Sequence, residues 1–284
     1  MSIVTLTTDF GQRDGYVGTM KGVILGISPD ATLVDISHGI TPQNIAEAAF
    51  IVGATYRYFP RDTVHLVVVD PGVGTDRRPM ALQTQRGIFV APDNGVLSYV
   101  MSREESWSAT HLTEPDYWLP RISSTFHGRD IFAPVAAHLA RGTPAEKLGA
   151  PLRSPLMREL PQVKILDSTR LQASVLHIDH FGNVVTSLPV DMLVAGQTIH
   201  DLKRRIYVQI SGQTIRGLRT TYNNVPEGDS LLLVGSSGFV EIARNRESAV
   251  DLLDIHMGDT IIFKIAPGIT ASDTRSESES TKEG

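Results

Sequence analysis

Residues that can do chemistry follow apolar runs at two places in the first half of the sequence and precede a helical pattern at a third. One segment, Thr7–Gly11, contains Asp9. Another, Asp70–Arg78, reads Asp-Pro-Gly-Val-Gly-Thr-Asp-Arg-Arg, and the third is Phe126-His127-Gly128-Arg129-Asp130. In open α/β sheets, ligands bind beyond the carboxyl ends of the strands. Carboxylates, arginine and histidine at such an edge are typical of ligand binding or acid–base chemistry.

Asp9 has two interpretations. An acid after the first strand pairs with ribose hydroxyls in many nucleotide binders. An acid at the same position can equally cap the turn that follows the strand. Position alone leaves both open.

The segment after Asp70 indicates close approach of a ligand, because Gly72 and Gly74 allow unusual backbone conformations. It is not a dinucleotide fingerprint, since the third glycine of that motif is missing. It is not a phosphate loop either, because no Gly-Lys-Ser/Thr follows. A simple turn remains the alternative for the two glycines, and a solvated surface pair remains the alternative for Arg77-Arg78.

The histidines suggest no metal site. His127 lies beside Gly128, which favours a loop open to a cleft, although a lone histidine is more often structural. His177 and His180 are three apart on a predicted strand, so they point to opposite faces and do not share a metal. No His-Glu-x-x-His motif is present, and we therefore expect no metal and no cofactor.

Composition excludes several kinds of protein. The 284 residues include no cysteine, which rules out disulfides, cysteine–zinc sites, iron–sulfur clusters and thiol nucleophiles. A net charge of −5 argues against a nucleic-acid partner. No apolar run reaches the roughly 20 residues that a membrane span needs, and the sequence opens directly on an apolar strand. We expect a soluble cytoplasmic enzyme or binding protein.

Helices and strands alternate in the first half. Strands are predicted at Ile3–Thr8, Thr32–Ile36, Val64–Val69, Met80–Gln83 and Ile88–Ala91, and helices near Tyr16–Ile27, Asn94–Arg103 and Asp130–Ala140. A further helix is predicted to start with Thr41 as cap and Pro42 in its first turn. This alternation predicts an α/β, Rossmann-like domain with a largely parallel sheet over residues 1–160.

The second half has mostly short β-type runs. A proline-rich linker is predicted near 150–165, followed by a small β-barrel or sandwich over residues 166–267. The predicted strands are Leu171–Ile178, Asn183–Ser187, Arg205–Ile210, Ser230–Val234, Val240–Ala243 and Thr260–Lys264. The last residues, Gly268–Gly284, are rich in Ser, Thr and Glu, and we expect them to be disordered.

Two turns of the second half carry polar groups suited to a ligand. In Asp179–Asn183, the Asn183 amide can donate and accept at an adenine edge while Phe181 stacks. Gly235-Ser236-Ser237-Gly238 offers amides and hydroxyls to a carboxylate or phosphate. Each segment can also be a simple turn.

Eight motifs in order carry a family resemblance. They are Thr7–Gly11, Lys21-Gly22, Val34–His38, Val69–Thr75, Ala91–Gly95, Phe126–Asp130, Asp179–Asn183 and Ile242–Asn245. Over roughly residues 3–265, the chain resembles the S-adenosylmethionine hydroxide adenosyltransferases, hydrolases related to the bacterial fluorinase and chlorinase. The resemblance implies an α/β domain, a β-barrel domain and a homotrimer with active sites between subunits. It also implies cleavage of S-adenosylmethionine to adenosine and methionine without a metal or cofactor.

The resemblance also implies residue roles. Asp70, Arg77 and His127 match the set that orients and activates water, with either Asp70 or His127 taking the proton. The implied substrate-binding residues are Asp9 (ribose), Phe181, Asn183 and Tyr222 (adenosine), Asp179 (methionine ammonium), Ser236 and Ser237 (near its carboxylate), Glu241, and the backbone near Arg246. The Asp179–Asn183 spacing is one residue shorter than in the halogenases.

Two other functions are weighed against hydrolysis. The halogenases carry an insertion between the strands that match Met80–Gln83 and Ile88–Ala91 and lack the Asp70–Thr75 motif, which favours water over halide here. A nucleoside-binding sensor without turnover would need Asp9 and Asn183. It would leave Asp70, Arg77 and His127 without a purpose.

Overall fold

The computed structural model describes residues 2–194 and 204–266. Its contacts divide the chain into two compact units, Met1–Leu160 and Pro161–Gly284. The segment Gly268–Gly284, for which disorder is predicted, lies outside the described residues. The chain is an α/β protein with one sheet in each unit.

The sheet of the first unit is mixed rather than largely parallel. Its strands are β1 (Ile3–Thr8), β2 (Thr32–Ser37), β3 (Val64–Val68), β4 (Pro79–Thr84), β5 (Gly87–Pro92), β6 (Trp107–Leu112) and β7 (Gly149–Pro151). Their order is β2-β1-β3-β5-β4-β6-β7. The first four are parallel neighbours. The others are antiparallel, because β4 and β5 form a tight hairpin and β6 and β7 continue from it.

Helices cover both faces of this sheet. They are α1 (Tyr16–Ile27), α2 (Ile45–Thr55), α3 (Ser98–Arg103) and α4 (Ala133–Ala140). The strand β3 shows why its sequence is almost entirely apolar, with the buried His65 as its one polar residue. Val64, Leu66 and Val68 pack into one core. Val67, and Val69 just after the strand, pack into the core on the other face of the sheet. Successive side chains of a strand point to opposite faces, so a doubly covered strand has no polar side.

The start of α2 differs from the prediction. Its N-cap is Asn44, whose Oδ1 accepts from the Glu47 backbone N–H at 3.1 Å, and not Thr41. Gln43 has a φ of 65°, so residues 41–43 cannot continue the helix and form a turn instead. The Glu47 carboxylate closes this turn by accepting from the Thr41 N–H at 3.0 Å. Ala48, Val52 and Tyr56 are buried as the helical spacing predicts.

Two other helices begin later than predicted. α3 starts at Ser98 because Asn94 belongs to a turn, in which its Oδ1 accepts from the Val96 N–H at 3.1 Å. α4 is preceded by one wide π-type turn, Gly128–Phe132. Short single-turn helices lie at Tyr56–Tyr58, Pro115–Tyr117, Ala145–Leu148 and Tyr222–Asn224.

The second unit is built on one strongly curved, nearly barrel-shaped sheet. Its strands are β8 (Lys164–Asp167), β9 (Arg170–Ile178), β10 (Val184–Pro189), β11 (Ile206–Ile210), β12 (Gln213–Arg216), β13 (Leu218–Arg219), β14 (Ser230–Val234), β15 (Phe239–Arg244) and β16 (Thr260–Ile265). The order is β12-β11-β16-β9-β10-β15-β14-β13, with β8 beside β9. The two end strands are consecutive in the chain and joined by Gly217 alone, whose φ is 74°.

The described helices of this unit are short, α5 (Val190–Val194) and α6 (Ala249–Leu253). Even α1, with 12 residues, extends only about 18 Å at the usual helical rise. Within residues 2–194 and 204–266, no helix has the length and apolar character to cross a membrane.

Candidate functional site

The order of the strands brings Asp9 and Asp70 to one edge of the first sheet. β1 and β3 are parallel neighbours with Thr8 opposite Val68. Asp9 and Asp70 leave these strands one and two residues later, so both lie beyond the carboxyl ends. The sequence expectation that this edge carries the polar residues agrees with the register.

Asp70, Arg77 and His127 form one hydrogen-bonded set. Arg77 Nε donates to both carboxylate oxygens of Asp70 at 2.9 Å, and Nη2 donates to Oδ2 as well. The same Nη2 lies 2.7 Å from Nδ1 of His127. The side chains of Arg77 and Asp70 are only 9% and 5% exposed, and the guanidinium lies over the Phe132 ring at 5.1 Å. The buried guanidinium of Arg77 therefore fixes the Asp70 carboxylate and the His127 imidazole relative to each other.

The loop before α4 sets the position of His127. Asp130 is fully buried and accepts from the Ser123 N–H at 2.8 Å and from Arg129 Nε at 2.6 Å. Burial raises the pKa of the Asp130 carboxyl, but the bonds from Arg129 and Ser123 outweigh it and hold the pKa below its usual value. The loop therefore folds around an ionised carboxylate.

Gly74 fits the Asp70 loop against this second loop. Its φ is 77°, and a Cβ placed on it would lie 2.3 Å from the Ser124 carbonyl oxygen. Only glycine tolerates both the conformation and the contact. The two loops that carry Asp70 and His127 thus meet backbone to backbone.

The contact with Arg77 determines the tautomer of His127. A guanidinium can only donate, so Nδ1 must be an unprotonated acceptor and the proton of the neutral ring sits on Nε2. Burial, and then the charge of Arg77, lower the pKa of His127 below its ordinary value. The residue is therefore a neutral imidazole with its proton on Nε2, and a backbone hydrogen bond with Ser123 opposes the lowering of its pKa only in part.

A cavity of about 380 Å³ lies beside these residues. Its lining residues are Asp9, Phe10, Tyr16, Pro42, Gln43, Val68, Asp70, Pro71, Val73, Thr125, Phe126, His127 and Gly128. Arg77 is not among them and lies behind Asp70 and His127. The cavity therefore presents a carboxylate from each of two strands and one imidazole.

Asp9 does not close the turn that follows β1. That turn is held by the Phe10 N–H, which donates to Thr8 Oγ1 at 3.3 Å, and by the Gly11 N–H, which donates to the His38 carbonyl at 2.8 Å. Asp9 Oδ2 instead accepts from the backbone N–H of Gln43 at 2.8 Å. The turn-cap interpretation is wrong, and the carboxylate is left on the cavity wall.

Three aromatic residues of the cavity were not among the predicted site residues. Phe10, Tyr16 and Phe126 contact one another with ring centroids 5.2 to 5.8 Å apart. Tyr16 is 49% exposed. No periodic signal marks them, because they come from a turn, a helix start and a loop. Gln43 was missed for another reason, since it acts through its backbone.

In the second unit, the carboxylate of Asp179 organises a tight loop. Its Oδ1 accepts from the backbone N–H groups of Phe181 and Asn183, both at 2.9 Å, and its Oδ2 accepts from Asn183 Nδ2 at 2.9 Å. Gly182, with φ 78°, packs against Ser248, where a Cβ would lie 2.2 Å from Oγ. The side-chain amide of Asn183 is thereby oriented, with one N–H and its oxygen still available.

This loop lines a cavity of about 510 Å³ in the second unit. The lining residues are Asp179, Phe181, Asn183, Tyr222, Asn223, Arg244, Asn245, Arg246, Glu247 and Ser248. Phe181 is 73% exposed and Tyr222 39% exposed, so two aromatic faces are open to a flat ligand. Five predicted binding residues thus meet in one cavity, together with neighbours that the Ile242–Asn245 motif had indicated.

Ser236, Ser237 and Glu241 lie outside that lining. The Glu241 side chain is buried against Gly235, where a Cβ would lie 1.6 Å from Oε1. Burial, and then the nearby charge of Asp179, raise the pKa of Glu241 to about 7. Ser237 Oγ is buried without a hydrogen-bond partner among the described residues. Glu241 and the Gly235–Gly238 turn thus lie side by side, close enough to Asp179 for its charge to act on Glu241.

Across the part of the chain that the structure describes, no group of three or more His, Asp or Glu side chains is arranged to hold a metal ion.

Comparisons with known proteins match nearly the whole chain to one family. Residues 4–149 match the SAM hydroxide adenosyltransferase N-terminal domain and residues 173–262 match the SAM hydroxide adenosyltransferase C-terminal domain. A protein of Salinispora arenicola named (R)-S-adenosyl-L-methionine hydrolase is 36% identical over 260 residues, which cover 91% of this chain and 96% of that protein.

Two further similarities place this match in context. A crystal structure of an uncharacterized conserved protein from Thermotoga maritima superposes with a TM-score of 0.85 at 35% identity, over 92% of this chain and 99% of that one. A fluorinase of Actinopolyspora mzabensis is more distant, at 30% identity over 87% of this chain and 91% of its own length.

Proposed function

The chain belongs to the SAM hydroxide adenosyltransferase family, and on that premise we propose that it is a hydrolase of S-adenosyl-L-methionine. Water attacks C5′ of the ribose, the C5′–S bond breaks, and its electron pair stays on sulfur. The products are adenosine, L-methionine and one proton. The sulfonium is already a good leaving group, so the protein's main tasks are to position a water molecule and exclude others.

The observation that carries this proposal is the set Asp70–Arg77–His127 beside the cavity that Asp9 also lines. A protein that only bound nucleosides would need Asp9 and the aromatic residues. It would have no use for a buried arginine that fixes a carboxylate and an imidazole toward the same space.

Within this set, we assign different tasks to Asp70 and His127. Nδ1 of His127 already accepts from Arg77, so the ring cannot take a proton there without losing that bond. Its Nε2–H instead donates to the oxygen of the attacking water. Asp70 then accepts the water's proton, and Arg77 holds the side chains of Asp70 and His127 in position. General acid–base help of this kind contributes about 10²–10⁴-fold.

Asp9 is assigned to the ribose hydroxyls. Its Oδ2 is fixed by the Gln43 N–H, which leaves the rest of the carboxylate available for a diol. In the second unit, Asn183 reads the adenine edge while Phe181 and Tyr222 cover the nucleoside, and the backbone near Arg246 approaches the base.

The methionine part is assigned to Asp179, Glu241 and the turn that carries Ser236 and Ser237. Asp179 and Glu241 attract the ammonium group, and Ser236 and Ser237 lie near the carboxylate. No cofactor takes part in the proposed reaction, since the sulfonium of the substrate supplies the driving force.

We further propose the quaternary structure that the resemblance implies, a homotrimer with active sites between subunits. Each cavity described above lies within one unit and presents only part of the groups that S-adenosylmethionine needs. A cytoplasmic location and the absence of a nucleic-acid or membrane partner are part of the same proposal.

Water is favoured over halide as nucleophile for two reasons. The side chain of Asp70 is only 5% exposed, and a carboxylate beside the attacking atom repels an anion. In addition, Thr84 pairs with Gly87, so only two residues separate β4 and β5 where the halogenases carry an insertion.

Incubation with S-adenosylmethionine in ¹⁸O-water, with and without chloride, tests the proposal. We expect adenosine that carries ¹⁸O at its 5′ position under both conditions, with methionine in equal amount. Formation of 5′-chloroadenosine as the main product would instead identify a halide-dependent enzyme. Binding of adenosine without release of methionine would identify a sensor.

A further inference from the structure

Lys21-Gly22 and Val34–His38 are among the motifs that have no task in the proposed reaction. In the structure, residues of both motifs and Thr8 of β1 form one series of polar contacts behind Asp9. The side chain of His38, at the centre of this series, is only 2% exposed.

The contacts run from the surface inward. Lys21 Nζ lies 2.6 Å from Asp35 Oδ2, and Asp35 Oδ1 lies 3.0 Å from His38 Nε2. The latter approach is poorly aligned for a hydrogen bond and acts as an electrostatic contact. His38 Nδ1 then lies 2.9 Å from Thr8 Oγ1.

The chemistry of these groups determines which atom donates and which accepts in each contact. Burial raises the pKa of Asp35, but the contacts with Lys21 and His38 outweigh it and keep the pKa below its usual value. The ionised carboxylate favours the imidazole proton on Nε2, which leaves Nδ1 to accept from the Thr8 hydroxyl. Thr8 Oγ1 in turn accepts from the Phe10 N–H at 3.3 Å.

This series of contacts reaches the residues on both sides of Asp9. Thr8 precedes it, Phe10 follows it, and the Gly11 N–H donates to the His38 carbonyl at 2.8 Å. A register shift between Leu6 and Thr7, where β2 has one extra residue, accompanies this arrangement. The backbone that carries the Asp9 carboxylate is thus held by one buried histidine.

We propose that Thr8 and His38 are positioning residues for ribose recognition, acting through Asp9. This inference rests on the proposed function, in which Asp9 binds the ribose hydroxyls. Without the Thr8 hydroxyl, His38 Nδ1 and the Phe10 N–H lose their partner, and the turn that aims Asp9 is no longer fixed.

The protein contains a matched control for Thr8. Thr5 lies on the same strand, is buried, and its Oγ1 lies 2.8 Å from Nδ1 of the buried His65. Thr5→Val therefore removes a chemically equivalent bond that is remote from Asp9. Thr8→Val removes the bond in question, Thr8→Ser retains it, and Thr8→Ala serves if the valine variant does not fold.

The readout is affinity for adenosine and for 2′,3′-dideoxyadenosine, which lacks the hydroxyls, by calorimetry on the full-length protein. For wild type, Thr8→Ser and Thr5→Val we expect adenosine to bind at least about tenfold more tightly than the dideoxy compound. For Thr8→Val we expect this preference to fall to about threefold or less, with the dideoxy affinity unchanged.

Different outcomes contradict the inference and the proposed function. If Thr8→Val and Thr8→Ala keep the preference of wild type, Thr8 has no positioning role and the inference is wrong. If wild type itself shows no preference and releases no methionine from S-adenosylmethionine, the proposed function fails instead. An equal loss in Thr5→Val would assign the effect to general stability.

Discussion

Nη2 of Arg77 lies 2.7 Å from Nδ1 of His127, while the same guanidinium binds both oxygens of Asp70. Arginine therefore separates the carboxylate from the imidazole, and no direct Asp–His pair forms. The sequence left open which of Asp70 and His127 takes a proton. The direction of the Arg77 hydrogen bond favours Asp70, since the ring can only donate from Nε2.

Replacement of His127 tests its role as a donor. We expect His127→Gln to keep turnover within about tenfold of wild type, because an amide can accept from Arg77 and still donate. We expect His127→Ala to lose about 10²–10⁴-fold. The measurement is release of adenosine at saturating substrate. Equal large losses in both variants would show that the ring must accept a proton.

Replacement of Asp70 tests the acceptor. Asp70→Asn keeps the size and part of the bonding to Arg77 but removes the charge, so we expect kcat to fall by about 10²–10⁴-fold. Adenosine affinity should change little. Asp76→Asn, an exposed neighbour in the same loop, is the matched control and should behave as wild type. Wild-type adenosine release in both Asp70→Asn and His127→Ala would overturn the assignment of the set.

Glu241 predicts how substrate binding depends on pH. Its pKa of about 7 means that the carboxyl is mostly neutral at lower pH and ionised above. An ionised carboxylate attracts the methionine ammonium, so KM should decrease as pH rises from about 6 to about 7.5, by roughly eightfold at most. Glu241→Gln should show a high and constant KM. Adenosine, which has no ammonium, should bind independently of pH in both proteins.

Gly74 predicts a coupling between stability and turnover. Gly74→Ala forces a positive φ and a collision with the Ser124 carbonyl, whereas Gly142→Ala forces a positive φ with nothing within 4 Å. We expect Gly74→Ala to lower the free energy of unfolding by about 1–3 kcal/mol more than the control. Displacement of the His127 loop should also lower kcat about tenfold or more. A Gly74→Ala protein with the stability and kcat of the control would contradict the close packing.

His65 predicts a loss of stability in acid. Burial lowers its pKa to about 4, whereas in the unfolded chain it titrates at its ordinary value. Between these values the unfolded state binds more protons, so stability falls as pH is lowered through this window. At pH 5 the effect is about 2 kcal/mol.

Denaturant unfolding of wild type and His65→Gln at about pH 7.5 and about pH 5 measures this difference. The variant is less stable overall, because it loses the bond to Thr5 and the stacking on Phe89. Its decrease between the two pH values should nevertheless be smaller by the stated amount. Identical decreases would mean that His65 does not titrate as described.

Much of the fold could be predicted because its signals are local. Continuous apolar runs and helical spacing located β1, β3, α1 and six of the nine strands of the second sheet, but not β8, β12 and β13. The start of α2 was misplaced because Thr41-Pro42 resembles a helix start, although Asn44 and Glu47 have the N-cap and third-position spacing. β6 was missed because Trp107–Leu112 alternates only weakly, and its pairing depends on the distant hairpin.

The site could be predicted only in part, for a related reason. Residue types indicated Asp9, Asp70 and His127, whose side chains line one cavity. That Arg77 lies behind them, that Asp9 bonds to Gln43, and that His38 reaches Thr8 all depend on contacts between distant segments. Such contacts leave no periodic pattern in a single sequence.

Gly217 has a consequence for how the protein behaves at high concentration. By linking β12 directly to β13, it turns the two ends of the second sheet toward each other, and Ser230 Oγ of β14 reaches Gln213 Oε1 of β12 at 3.4 Å. Sheet ends that face each other offer little template for strand addition by another molecule. A single residue with a positive φ thereby helps to protect the folded chain against edge-to-edge aggregation.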